Sequence, residues 1–131
     1  MTTAMTELSL HLPDDSRALP RVRRALRTWL DDVGVGGEVA DDIVLASWEA
    51  CANAVEHPLW PVRHEVVVDA RMSPSRVCID VRDAGRWRRR RARAYRGLGL
   101  TIVNALMDEV SISSGRRGTV VHMCRALDRA A

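Results

Sequence analysis

The chain contains no lysine, and all twenty of its cationic side chains are arginines. Any phosphate contact must therefore be made by guanidinium groups, and the bias points to GC-rich coding. No apolar run approaches the roughly 20 residues of a membrane-spanning helix, and Met1 to Leu10 carries neither a basic leader nor an apolar h-region. A secreted or membrane-embedded protein is disfavoured and a cytoplasmic one expected. Cysteine is scarce and odd in number: Cys51, Cys78 and Cys124 each lie in an apolar stretch, which reads as a reduced cytosolic core. His11, His57, His64 and His122 show no metal-ligand spacing with one another or with those cysteines, which argues against a structural zinc site.

What is present fits one compact domain over 1–131, since 131 residues are too few for two ordinary ones. The formal charge is +3, but Arg86, Arg88, Arg89, Arg90, Arg91, Arg93 and Arg96 crowd into one acid-free segment. Basicity confined to one segment, and not shared over a face, is weak support for nucleic-acid binding. That segment is also the sole biased stretch, and no internal repeat interrupts the chain.

Leu8, Leu10 and Leu12 alternate with Glu7, Ser9 and His11, the period of a half-buried strand, and Pro13 ends it. Leu19, Val22, Leu26, Leu30 and Val33 recur at helical spacing, with Pro20 in the first turn and Gly34, Gly36 and Gly37 as the stop. Arg17, Arg21 and Arg24 read as a solvated face near Asp31 and Asp32. From Glu38 to His57 there is no Gly or Pro, which predicts a helix about 30 Å long. Its apolar stripe is Val39, Ile43, Ala46, Ala50 and Ala54, while Asp42, Glu49, Asn53 and Glu56 share another face. A carboxylate and a carboxamide one turn apart in an otherwise apolar helix are candidates for a ligand or metal site.

Two alternating strands, His64 to Arg71 and Arg76 to Asp83, are joined by Ser73-Pro74-Ser75. The Arg-rich run from Arg86 to Arg96 has no apolar period and reads as an exposed loop able to act as a lid. Gly97-Leu98-Gly99 then opens a helix carrying Ile102, Val103, Leu106 and Met107, and strands around Val110 to Ser113 and Thr119 to Arg125 close the chain. The element order predicts an α+β two-layer sandwich.

Glu49-x-x-x-Asn53 on a helix, Asp83-Ala84-Gly85 after a strand and Gly97-Leu98-Gly99 at a helix mouth occur in that order. Together they resemble the GHKL (histidine-kinase-like, Bergerat-type) ATPases with their N, G1 and G2 boxes, from the first strand onward. Within that superfamily the short length, Asn53-Ala54-Val55-Glu56-His57 and the Gly118-Thr119 ending look most like the anti-sigma factor serine/threonine kinases. The resemblance implies a mixed, mostly antiparallel sheet with helices on one face. It implies that Asn53 ligates Mg²⁺ carried by ATP, and that Glu49 is the general base toward an attacking hydroxyl. It also implies that Asp83 accepts from the adenine amino group, that Gly85 lets the base approach the backbone, and that Thr119 lies beside the adenine. Gly97, Leu98 and Gly99 would cradle phosphates at a helix N-terminus. Arg96 and the arginines before it would serve either the terminal phosphate or an acidic partner protein. The family's further glycine is replaced here by Trp87, which makes the rim of the base pocket bulkier.

The leading functional reading is an ATP-dependent protein serine kinase that sequesters a sigma factor and phosphorylates an anti-sigma antagonist of the STAS type. A homodimer is left open, and direct nucleic-acid or membrane contact is not expected. Two alternatives stand beside it: a non-catalytic ATP-dependent switch module, and the kinase-like domain of a larger serine phosphatase regulator. A histidine-kinase catalytic half is disfavoured, since no dimerisation helix with a phosphoacceptor histidine is expected before the domain.

Overall fold

The computed structural model describes residues 7–13, 15–55, 65–83, 98–115 and 118–127. Strand β1 (Glu7–Pro13) leads through a short 3-10 turn (Ser16–Ala18) into α1 (Leu19–Asp32) and α2 (Gly37–Val55). The hairpin strands β2 (Glu65–Met72) and β3 (Arg76–Asp83) follow, then α3 (Leu98–Leu106), β4 (Glu109–Gly115) and β5 (Gly118–Ala126). The expected lid at 86–96 falls outside the described residues, as do Glu56, Gly85, Trp87, Arg96 and Gly97.

The sheet order is β1-β2-β3-β5-β4, and every described pairing is antiparallel. Its two faces follow from the period of two along each strand. Leu12, Val66, Val68, Ala70, Val77, Ile79, Val81, Val121 and Met123 are buried in the core shared with the helices. Residues between them, among them Ser9, Asp69, Arg82 and Asp80, form ion pairs and hydrogen bonds on the other face. The expected two-layer α+β arrangement is thus the observed one.

Helix α1 begins with Leu19-Pro20, where a missing N–H costs nothing. It buries Leu19, Val22, Leu26, Trp29 and Leu30 at helical spacing. Gly34, at φ 84°, and Gly37, at φ 61°, then turn the chain into α2 through left-handed conformations that a side chain disfavours. Arg21 and Arg24 of α1 are exposed as expected, while Arg17, in the turn before the helix, is also exposed and is held by Asp15 at 2.8 Å. Nearby, Arg27 reaches across to Asp41 at 2.9 Å.

Helix α2 is buried over more than the predicted stripe. Ala40, Ile43, Val44, Ala46, Ser47, Ala50, Cys51, Ala52 and Ala54 are all inside, whereas Val39 is only half-buried. The reason is its central position, flanked by α1 and α3 and lying on β2, β3 and β5. Its Ser47 hydroxyl is fully buried and has no hydrogen-bond partner among the described residues. An orphaned buried hydroxyl costs about 1–3 kcal/mol. Ser47→Ala should therefore raise stability by about 1 kcal/mol, whereas Ile43→Ala, which opens a cavity at a fully buried position, should lower it by roughly 3 kcal/mol. Urea denaturation of the two variants checks both signs; a destabilised Ser47→Ala would show that the hydroxyl has a partner after all.

Candidate functional site

Glu49 and Asn53 sit one turn apart on α2, both half-buried, on the helix that packs against α3. The Asn53 Nδ2 donates to the Glu49 carbonyl oxygen at 3.0 Å. That bond commits the amide nitrogen to the helix backbone, so Oδ1, the carboxamide's acceptor, is the atom turned to other partners. A hard oxygen held in a fixed direction, with a carboxylate one turn away, is chemistry that suits a small divalent cation.

Asp42 does not join them. Although it shares their sequence face, its carboxylate pairs at 3.0 Å with Arg125 of β5, and both side chains are mostly covered. It ties α2 to the sheet two turns before Glu49. Its grouping with Glu49 and Asn53 was correct in helical phase, but the strand across the interface decides its partner.

Asp83 and Thr119 come together from distant parts of the sequence. They are cross-strand partners at the ends of β3 and β5. Both are buried, at 4% and 2% exposure, and with Ser47 they are the buried polar side chains among the described residues. Gly118, at φ 115°, turns the chain into β5 immediately before Thr119. A buried carboxylate and hydroxyl side by side at a strand end make a directional hydrogen-bonding patch. Leu98 and Gly99 form the first turn of α3, beside α2, so this helix start and the Glu49-Asn53 pair belong to adjoining helices. Gly85, Arg96 and Gly97 lie outside the described residues. A groove of about 520 Å³ between β1 and α1, lined by Leu8, Leu10, Leu12, Arg21, Arg24 and Trp29 among others, contains none of the predicted site residues.

The cysteines depart from expectation. Cys78 and Cys124 are directly opposite each other on β3 and β5 and form a disulfide on the outer sheet face, so they are not members of a reduced core. His122 lies two residues before Cys124 on the same face, and its ring Nε2 is 3.3 Å from the Cys124 sulfur. Reading the histidines against the cysteines for longer ligand spacings missed this, because on a strand residues i and i+2 are already neighbours. The alternation of β5 was the signal that held it.

Only Cys51 keeps the predicted character among the three. It is fully buried and free, and burial pushes its thiol up from 9.0 to about 12. The native state therefore retains this proton after the unfolded chain has lost it. The associated stabilisation is complete below pH 9.0 and disappears as pH rises toward about 12. Cys51→Ala should flatten the loss of stability between those limits, as read by denaturant midpoints across an alkaline series. A slope equal to wild type would remove Cys51 as its source.

The sequence model of the family described as the histidine kinase-like ATPase domain matches residues 12–125. Among solved structures, the RsbU and RsbW domains of Rv1364c from Mycobacterium tuberculosis superpose with a TM-score of 0.74 at 30% sequence identity. That alignment covers 92% of this chain and 32% of the other, so the chain spans about a third of the solved chain it matches.

Proposed function

The chain belongs to the histidine kinase-like ATPase domain family, and we propose that it is an ATP-binding anti-sigma factor with protein serine/threonine kinase activity. It would phosphorylate a STAS-type antagonist and sequester a sigma factor. The observation that carries this reading is the Asn53 carboxamide locked onto the Glu49 backbone, with its oxygen free of the helix and a carboxylate one turn away. Similarity to an RsbW domain and the motif order support the choice of this branch of the family.

In this reading Asn53 Oδ1 holds the Mg²⁺ that accompanies the nucleotide. The bound ion supplies neutralisation of phosphate charge. Glu49 accepts the proton from the serine hydroxyl of the antagonist. Asp83 accepts a hydrogen bond from the adenine amino group, and Thr119 lies beside it. Gly85 leaves room for the base, while Gly97, Leu98 and Gly99 bring backbone amides to the phosphates. Arg96 closes on the terminal phosphate, and the arginine-rich run 86–96 serves as the lid.

Asp83 can only accept while ionised, and guanine presents no amino group at the corresponding position. ATP should consequently bind more tightly than GTP in calorimetric titration, and Asp83→Ala should erase the difference. Equal affinities in wild type would take Asp83 out of base selection.

Phosphoryl transfer is tested with radiolabelled ATP and candidate antagonist proteins from the same genome. Label on an antagonist serine is the expected result. ATP binding with no transfer to any candidate would favour a switch module, and no ATP binding would overturn both. Glu49→Ala should retain nucleotide but lose transfer by a factor of about 10² to 10⁴, whereas Asn53→Ala should weaken Mg-nucleotide binding itself. Wild-type turnover in Glu49→Ala would exclude it as the base.

A further inference from the structure

The face of the sheet turned away from the helices carries a cluster that the proposed phosphotransfer does not use. Cys78, His122 and Cys124 each offer a ligand atom, and these atoms lie within 4.8 Å of one another. The two cysteines are nearly inaccessible, and their Cα atoms are 4.1 Å apart. Two sulfurs bound to one tetrahedral ion stand about 3.8 Å apart, given Zn–S bonds of about 2.3 Å. Cross-strand cysteines this close therefore reach a shared ion through side-chain rotation alone once their bond is opened.

His122 is oriented for the same purpose. Its Nδ1 lies 2.6 Å from Asp80 Oδ1. A carboxylate accepts and does not donate, so Nδ1 carries the proton and Nε2 is left as the electron-pair donor turned to the sulfurs. A carboxylate behind a histidine in this way fixes the tautomer and raises ligand basicity at metal centres. On the solvent side Glu109 Oε2 is 3.8 Å from Nε2, while the other oxygen of Glu109 accepts from Arg76 at 3.1 Å. Two thiolates, an imidazole and a carboxylate make a mixed soft and borderline set that favours Zn²⁺ over Mg²⁺ or Ca²⁺.

We propose that Cys78, Cys124 and His122, with Glu109 on the open side, bind a Zn²⁺-type divalent ion when the cysteines are reduced, and that closing the Cys78–Cys124 disulfide releases it. The two states are mutually exclusive because both use the same sulfurs. With hydrogen peroxide as oxidant, one thiolate attacks the O–O bond, becoming a sulfenic acid and expelling hydroxide. The second thiolate attacks that sulfur, forms the S–S bond and expels a second hydroxide. Two electrons pass from sulfur to peroxide, two protons from solvent convert the hydroxides to water, and the ion leaves with His122 as its remaining strong ligand.

The full chain, reduced, stripped with a chelator and kept anaerobic, is titrated with Co²⁺ as a spectroscopic substitute for Zn²⁺. A thiolate-to-cobalt charge-transfer band with intensified tetrahedral visible bands is expected. It should saturate at a single ion per chain, bleach on adding Zn²⁺, and vanish after peroxide. Cys51→Ser should retain the band, while Cys78→Ser with Cys124→Ser should abolish it. Asp80→Asn should weaken Co²⁺ binding by about 10- to 100-fold. Far-UV circular dichroism, measured in parallel, reports whether each variant is folded and does not depend on metal or nucleotide binding. Reduced wild-type chain with its thiols titratable but no charge-transfer band would overturn the proposal, as would a band that survives in the double cysteine variant.

Discussion

Helix α2 touches the sheet on one side and α1 and α3 on its flanks, and the surface it presents is built of small side chains. Ala40, Ala46, Ser47, Ala50, Cys51, Ala52 and Ala54 are all buried. Small residues let a helix axis approach its neighbours closely, and large ones at the same positions would push it outward. Glu49 and Asn53, both half-buried, are carried on this closely packed helix. The Asp42 to Arg125 pair pins the same helix to β5 earlier along its length. The placement of Glu49 and Asn53 thus depends on alanines that have no chemistry of their own.

The sheet divides its work by parity. Along β3, Val77, Ile79, Val81 and Asp83 face the helices, while Cys78 and Asp80 face outward. Along β5, Thr119, Val121 and Met123 face inward and His122 and Cys124 outward. These two neighbouring strands therefore carry the buried Asp83 and Thr119 pair at one end of one face and a sulfur and imidazole cluster on the other. A one-residue slip in their pairing would exchange the faces and destroy both.

Much of this was legible in one dimension. The alternation of Leu8, Leu10 and Leu12, the Pro20 start and the Gly34 stop were local signals, and each element stands where they put it. The fold class followed from element order, and the family from three short motifs. What escaped were pairings between strands and helices far apart in the chain. Asp42 looked like a partner of Glu49 because helical phase is local, whereas Arg125 is not. Cys78 and Cys124 looked unrelated because their register depends on how β3 and β5 align. The family resemblance had singled out Thr119, but its place directly opposite Asp83 comes only from that alignment.

Strand β1 lies at the edge of the sheet, where Pro13 is paired with Glu65 and Glu7 with Arg71. Both α1 and α2 intervene in sequence before its partner begins. The hairpins β2-β3 and β4-β5, by contrast, close over short turns. Loop closure favours short connections, so the hairpins have the entropic advantage over β1. During synthesis β1 emerges before α1, α2 and β2, and it can be docked only after the roughly fifty residues that separate it from β2 have followed. A growing chain must therefore carry a leucine-bearing strand without its neighbour, and the stage at which β2 leaves the ribosome becomes the point at which that edge is sealed.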